Sequence, residues 1–346
     1  MKKIVAIIGA RPQFIKHAPI EMFFKGKYDL ITIHTGQHYD DNMSQIFFKE
    51  LGMSKPNYLL KSGGLSHGKQ TAQMLIEIEE ILISEKPDAV LVYGDTNSTL
   101  AGALVAAKIH IPIIHIEAGL RSFNKEMPEE INRILTDHMS SILLCPSDAA
   151  IKNLATENIK KNVFKTGDVM CDMIHIAKTK GLLIENNDEY IYTTIHRPYN
   201  TDKKERLISI LETLNELPSK VIFSRHPRTK LYMGKFNLID QNYKNIQFIE
   251  PVSYFVNLNY LYNSVAMITD SGGMQKEAYI LKKKCITIRS ETEWLGTLKN
   301  GWNTLVFEDL SEIKSILENP AGKHFSDLYG TGDASKEIYE ILKDII

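Results

Sequence analysis

Short runs of Val, Ile and Leu recur along the chain, separated by stretches in which apolar residues return every three or four positions. Lys3–Ile8, Leu30–His34, Ala89–Tyr93, Ile113–Glu117 and Ile142–Cys145 read as strands. Gln13–Lys25, Ser66–Ser84, Thr96–Ile109 and Glu129–Met139 read as the helices between them. The strand runs are solidly apolar rather than alternating, as in parallel strands covered on both faces. After a boundary near Gly167–Gly181 the pattern restarts. Glu189–His196, Val221–Ser224, Ile246–Phe248, Val265–Thr269 and Lys284–Ile288 are strand candidates, with Lys203–Leu217 a helix. Strands alternating with helices predict an α/β chain with right-handed crossovers. We expect an N-terminal domain over residues 1–170, joined by a C-terminal amphipathic helix over 334–346, and a second domain over 171–333.

Composition narrows the function classes. The chain has 346 residues, 43% hydrophobic and 24% charged, with 41 Lys and Arg against 42 Asp and Glu. That balance argues against a nucleic-acid binder, which is usually basic. Cys145, Cys171 and Cys285 form no CxxC pair, so neither a disulfide framework nor a structural zinc site is expected. The apolar start reads as a buried strand rather than a leader, and no run of about eighteen apolar residues is present. A cytoplasmic chain without membrane insertion is the expectation.

Polar residues cluster just past the strand ends. Gly9-Ala10-Arg11-Pro12 opens a helix carrying Lys16, and a helix start with an arginine suits an anion. Asp95, after the third strand, taken alone reads as a helix cap. Glu117, after HIPIIHI, is a carboxylate poorly placed for solvation, where shifted acidity is common. Glu129 and Glu130 start the next helix, where acids complement the helix dipole. In the second half His196 ends a strand, Arg225-His226-Pro227-Arg228 makes a second cationic cluster, and Asp270-Ser271-Gly272-Gly273 leads into a helix as a phosphate cradle, with Glu277 a turn beyond. GGLSHGKQ misses the P-loop because Gln70 stands where a metal-binding hydroxyl is needed. No GxGxxG follows a strand, and neither cofactor nor metal is expected.

Taken together and in order, GARPQFIKHAP, TGQHYD, VYGDTNSTLAGALVAA, IEAGLRS, MPEEINRILTDH, TIHRP, RHPRT, DSGGMQKEA and TEW resemble the non-hydrolysing UDP-N-acetylglucosamine 2-epimerase family over nearly the whole chain. The resemblance implies two Rossmann-like domains facing across a cleft, in the arrangement shared with GT-B glycosyltransferases, and a homodimer serving cell-surface polysaccharide synthesis. It implies elimination of UDP across C1–C2 to a 2-acetamidoglucal and re-addition to the opposite C2 configuration. Asp95, Glu117, Glu129 and His196 match the catalytic set, and Arg11, Lys16, Arg133, His226, Ser271, Gly272, Gly273 and Glu277 the UDP-sugar contacts. Gln37, His38, Gln70 and Arg197 match positions where a second UDP-sugar activates some members. Two departures bear on the substrate. Tyr199 stands where the family often has Glu, and Thr292-Glu293-Trp294 replaces the usual TERPE segment. The TEW form resembles a branch that includes enzymes of diacetamido-glucuronates and deoxy-acetamido sugars. A hydrolysing epimerase and a glycosyltransferase on the same fold are the remaining alternatives.

Overall fold

The computed structural model describes residues 1–37 and 48–346. The chain separates into two compact units, Met1–Ile176 with Asp327–Ile346, and Ala177–Ser326.

The first unit is built on a seven-stranded sheet. Its strands are β1 (Lys3–Ile8), β2 (Asp29–His34), β3 (Tyr58–Leu59), β4 (Ala89–Tyr93), β5 (Ile113–Ile116), β6 (Ile142–Cys145) and β7 (Val163–Lys165), in the order β3-β2-β1-β4-β5-β6-β7. Every pairing is parallel. Val5, Ile7, Val90, Val92 and Ile113 pack with Met74, Ile78, Leu82 and Ala103 from the helices, which explains the unbroken apolar runs. The helices are α1 (Arg11–Phe24), α2 (His67–Glu85), α3 (Asn97–Lys108), α4 (Pro128–Met139), α5 (Asp148–Thr156) and α6 (Val169–Thr179). The C-terminal helix Ala334–Ile345 returns to this unit. Asp172 accepts its first amides, from Ala334 at 3.0 Å and Ser335 at 2.7 Å, and Tyr339 packs on Phe23 and Tyr28.

The second unit repeats the design with six strands. They are β8 (Tyr190–Thr194), β9 (Lys220–Ser224), β10 (Ile246–Ile249), β11 (Ala266–Thr269), β12 (Lys284–Thr287) and β13 (Asn303–Leu305), ordered β10-β9-β8-β11-β12-β13 and all parallel. Its helices are α7 (Pro198–Thr201), α8 (Lys204–Asn215), α9 (Pro227–Lys235), α10 (Tyr254–Asn263), α11 (Gly272–Ile280) and α12 (Glu312–Glu318).

The predicted α/β class is observed. In both sheets the strand order reverses beside the first strand, between β1 and β4 and between β8 and β11. Ligands of open α/β sheets bind outside the carboxyl ends of strands at such switch points. Three short strands, β3, β7 and β13, escaped the sequence reading because two or three residues carry no periodicity.

Candidate active site

At the first switch point the loop after β1 is tied to the end of β4. Gln13 accepts from the amides of Gly9 at 2.8 Å and Ala10 at 3.1 Å, while its own amide donates to the Tyr93 carbonyl and the Thr99 hydroxyl. Arg11 sits half-buried at the first position of α1. Gly9 is required by close approach: a Cβ there would meet the Thr35 and Ser98 hydroxyls at 2.1 and 2.2 Å.

After β4 the chain turns through Gly94, whose φ is +61°. Asp95 is not the helix cap: Thr96 takes that role, its hydroxyl accepting from the Thr99 amide. Freed from capping, the Asp95 carboxylate accepts from the Arg133 guanidinium. Arg133 also donates to Glu130 at 2.9 Å. Glu130 is buried and takes the amides of Ser122 and Phe123, so it braces the loop before α4, whereas Glu129 beside it is half-buried. Asn132 holds the turn by donating to the Asp95 carbonyl at 2.9 Å.

Glu117, just past β5, is buried and lies 2.5 Å from the Lys16 ammonium. Its φ is +70°. A non-glycine residue in this region carries backbone strain, which persists where the surroundings over-determine it and clusters at functional sites. The Lys16–Glu117 pair rests against Gly94, where a Cβ would come within 3.1 Å of Lys16 Nζ and 3.2 Å of Glu117 Oε1. Lys16 and Arg133, expected from the sequence to contact UDP, are thus each engaged by an expected catalytic acid.

Gln37 and Gln70 both reach the first turn of α3. Gln37 accepts from the Ser98 amide and hydroxyl, and Gln70 accepts from Asn97 while donating to the Ser62 carbonyl. His38 lies outside the described residues.

Sequence reading missed a buried chain behind this turn. His115 Nδ1 is 2.7 Å from Asp137 and its Nε2 is 2.8 Å from the Gly94 carbonyl. Asp137 also accepts from Arg121 and the Gly119 amide. The available signal was a His inside an apolar strand and an Asp on the buried side of α4.

At the second switch point the organising group is Asp270, fully buried at the end of β11. It accepts from the amides of His196 at 3.0 Å and Arg197 at 2.8 Å and from Asn200, which fixes the turn after β8. His196 Nδ1 lies 3.3 Å from it. Burial lowers the His196 pKa below the ordinary value; Asp270 opposes this, and Arg197, Arg289 and Arg228 reinforce it. His226 caps α9 by accepting from the Arg228 amide, and its ring centroid is 5.0 Å from that of His196. The rest of its cationic cluster is structural: Arg225 pairs with Asp240 and Glu250, and Arg228 with Asp202.

Ser271 precedes α11 without a side-chain cap bond, and Glu277 is buried on that helix. A Cβ at Gly272 would meet Glu293 Oε1 at 2.5 Å. Glu293 pairs with buried Arg289, and Lys276 Nζ sits 4.1 Å from the Trp294 ring centroid, so the TEW segment packs on the start of α11. Tyr199 stacks edge-on against Phe307, and burial pushes its phenol up to about 12, leaving it neutral where a Glu would be an acid.

The model of the UDP-N-acetylglucosamine 2-epimerase family matches residues 24–343. The chain belongs to that family. It is 48% identical to a UDP-N-acetylglucosamine 2-epimerase homolog of Methanococcus maripaludis, over 99% of this chain and 100% of the relative. It is 47% identical to a UDP-2,3-diacetamido-2,3-dideoxy-D-glucuronate 2-epimerase of Pseudomonas aeruginosa, over 98% and 99%. The crystal structure of the Methanocaldococcus jannaschii UDP-GlcNAc 2-epimerase with UDP-GlcNAc and UDP superposes with a TM-score of 0.90 at 42% identity, covering 99% of this chain and all of that one. Like the other family members this chain is an epimerase, hence an isomerase. No helix among the described residues is long and apolar enough to cross a membrane.

Proposed function

We propose that the protein interconverts UDP-GlcNAc and UDP-ManNAc without hydrolysis. The observation that carries this reading is the set of acids at the first switch point, two of them held against cations, in a chain of the 2-epimerase family. A C2 hydrogen beside an acetamido group is barely acidic, so inversion proceeds through loss of UDP to a 2-acetamidoglucal. Asp95, Glu117 and Glu129 supply the acid and base at C2. Lys16 lies against Glu117 and Arg133 against Asp95, so two of these carboxylates have a cation beside them. His196, with the Ser271–Gly273 helix start and His226, holds the departing diphosphate; a helix N-terminus is suited to that charge.

Incubation with UDP-GlcNAc in D₂O, followed by NMR, tests the reading. Deuterium at C2 and accumulation of UDP-ManNAc are expected. Free sugar plus UDP would support the hydrolysing alternative, and no epimer without an acceptor would support a glycosyltransferase. A second reading, 2-epimerisation of a UDP-diacetamido-glucuronate, is favoured by the 47% identity to the Pseudomonas enzyme. The same assay with that substrate decides it through relative kcat/KM. We infer a homodimer from the exposed Ile76 and Ile83 of α2 and Leu135 of α4, and a mass of about one chain by light scattering would overturn this.

A further inference from the structure

His115 is completely buried, and both of its ring nitrogens face groups that accept protons. Nε2 points to a backbone carbonyl, which has no proton to give, so Nε2 carries one. Nδ1 points to Asp137, whose other oxygen takes the Arg121 guanidinium at 2.6 Å and the Gly119 amide at 3.1 Å. Burial by itself would raise the Asp137 carboxyl, but His115 and Arg121 hold it below the ordinary value. The ring thus bridges the Asp137 carboxyl and the Gly94 carbonyl inside the sheet. Arg121 continues the chain to Glu157 through Nε at 2.7 Å and Nη2 at 2.8 Å.

The end of this chain lies at the reacting acids. The Gly94 carbonyl that His115 grips belongs to the left-handed turn whose next residue is Asp95 and whose α-carbon abuts the Lys16–Glu117 pair. The Gly94 amide is fixed as well, by the Ile116 carbonyl at 2.9 Å. Gly94 is free to rotate in sequence and locked in place, and half of the lock is the His115 ring.

We propose that His115, oriented by Asp137, is a positioning residue that clamps the Gly94 carbonyl and so sets where Asp95 and the Lys16–Glu117 pair stand during proton transfer at C2. The inference rests on the epimerase reading. Small displacements of reacting groups are costly in rate, about a hundredfold for roughly 1 Å, so the clamp acts on kcat rather than on substrate affinity.

Three full-length variants and one spectrum test it. In ¹⁵N-histidine-labelled wild type, the signal lost in His115→Gln shows a proton on Nε2, hydrogen-bonded to the Gly94 carbonyl. Asp137→Asn, which swaps the charged acceptor that orients the ring for an amide, lowers kcat by about tenfold or more and leaves KM and UDP affinity within about threefold; His115→Gln does the same. Arg121→Lys loosens the far end of the network and lowers thermal stability while sparing kcat. An equal kcat loss in Arg121→Lys, an unchanged kcat in Asp137→Asn, or a His115 Nε2 that carries no proton overturns the proposal. If His115→Gln does not fold, assignment by Asp137→Asn and its kinetics decide the matter. Absent C2 turnover in wild type sinks the epimerase reading and this role together, whereas an Nε2 without a proton in an active enzyme sinks this role alone.

Discussion

At the first switch point acids meet cations inside a buried frame: Glu117 with Lys16, Asp95 with Arg133, and Asp137 with Arg121. At the second, the buried acid Asp270 is satisfied by backbone amides and Asn200, and the histidine beside it is driven toward its neutral form. One sheet topology thus hosts two electrostatic designs. Ion pairs fix geometry before substrate arrives, which suits the proton transfer proposed for Asp95 and Glu117. An amide-anchored turn holds a histidine beside a buried acid without committing that acid to a single cation, which suits the proposed hold on a diphosphate.

The largest expected effects test that division directly. Glu117→Gln and Asp95→Asn should each lower turnover by on the order of a hundredfold or more, with UDP affinity within about threefold. Near-normal turnover in both, measured by the C2 exchange assay, would break the assignment of the chemistry to the first switch point. Asp270→Asn strips acceptor capacity from the His196–Arg197 turn and should cost about 1–3 kcal/mol in denaturant unfolding. It also removes the charge that favours protonated His196, so the limb of the kcat/KM profile on which His196 loses its proton should move to lower pH. A limb moving upward would mean that Asp270 is not the partner that matters.

His17 sharpens the contrast with His115, since it is equally buried but faces hydroxyls, Tyr93 at 2.7 Å and Thr32 at 3.1 Å. Burial lowers its pKa from 6.5 to about 3. A folded value below the unfolded one gives stability that is complete above about pH 6.5 and lost as pH falls toward 3. His17→Gln should flatten the acid fall in stability by up to about 1.4 kcal/mol per pH unit in that window; an unchanged slope in urea titrations would refute a neutral His17. The smallest effect belongs to Arg228→Lys. Its half-exposed pair with Asp202 is worth at most about 1 kcal/mol, and UDP affinity should not change. A tenfold weaker affinity, by calorimetry, would return that cationic cluster to the ligand.

The strands and the positions of Asp95, Glu117 and His196 at their ends were legible because a buried parallel strand is an apolar run that stops where polarity begins. Less legible was which donors and acceptors meet. Gln13, unremarkable in sequence, takes the amides of Gly9 and Ala10; Thr96 displaces Asp95 as cap; Asp270 reads as part of a phosphate cradle but turns back to the amides of His196 and Arg197. His115 and Asp137 were invisible because each sits within an apolar periodicity and their partnership spans 22 residues. Spacing along one chain cannot report a bond made across two elements.

The strained backbone at Glu117 bears on how this enzyme can be engineered. Gly or Asn adopts that conformation more readily than Glu. A library sorted for heat resistance alone would therefore be drawn toward replacing this residue, and on the role proposed for Glu117 its survivors would be sturdy and inert. Any campaign to harden the protein should hold position 117 constant and seek its gains elsewhere.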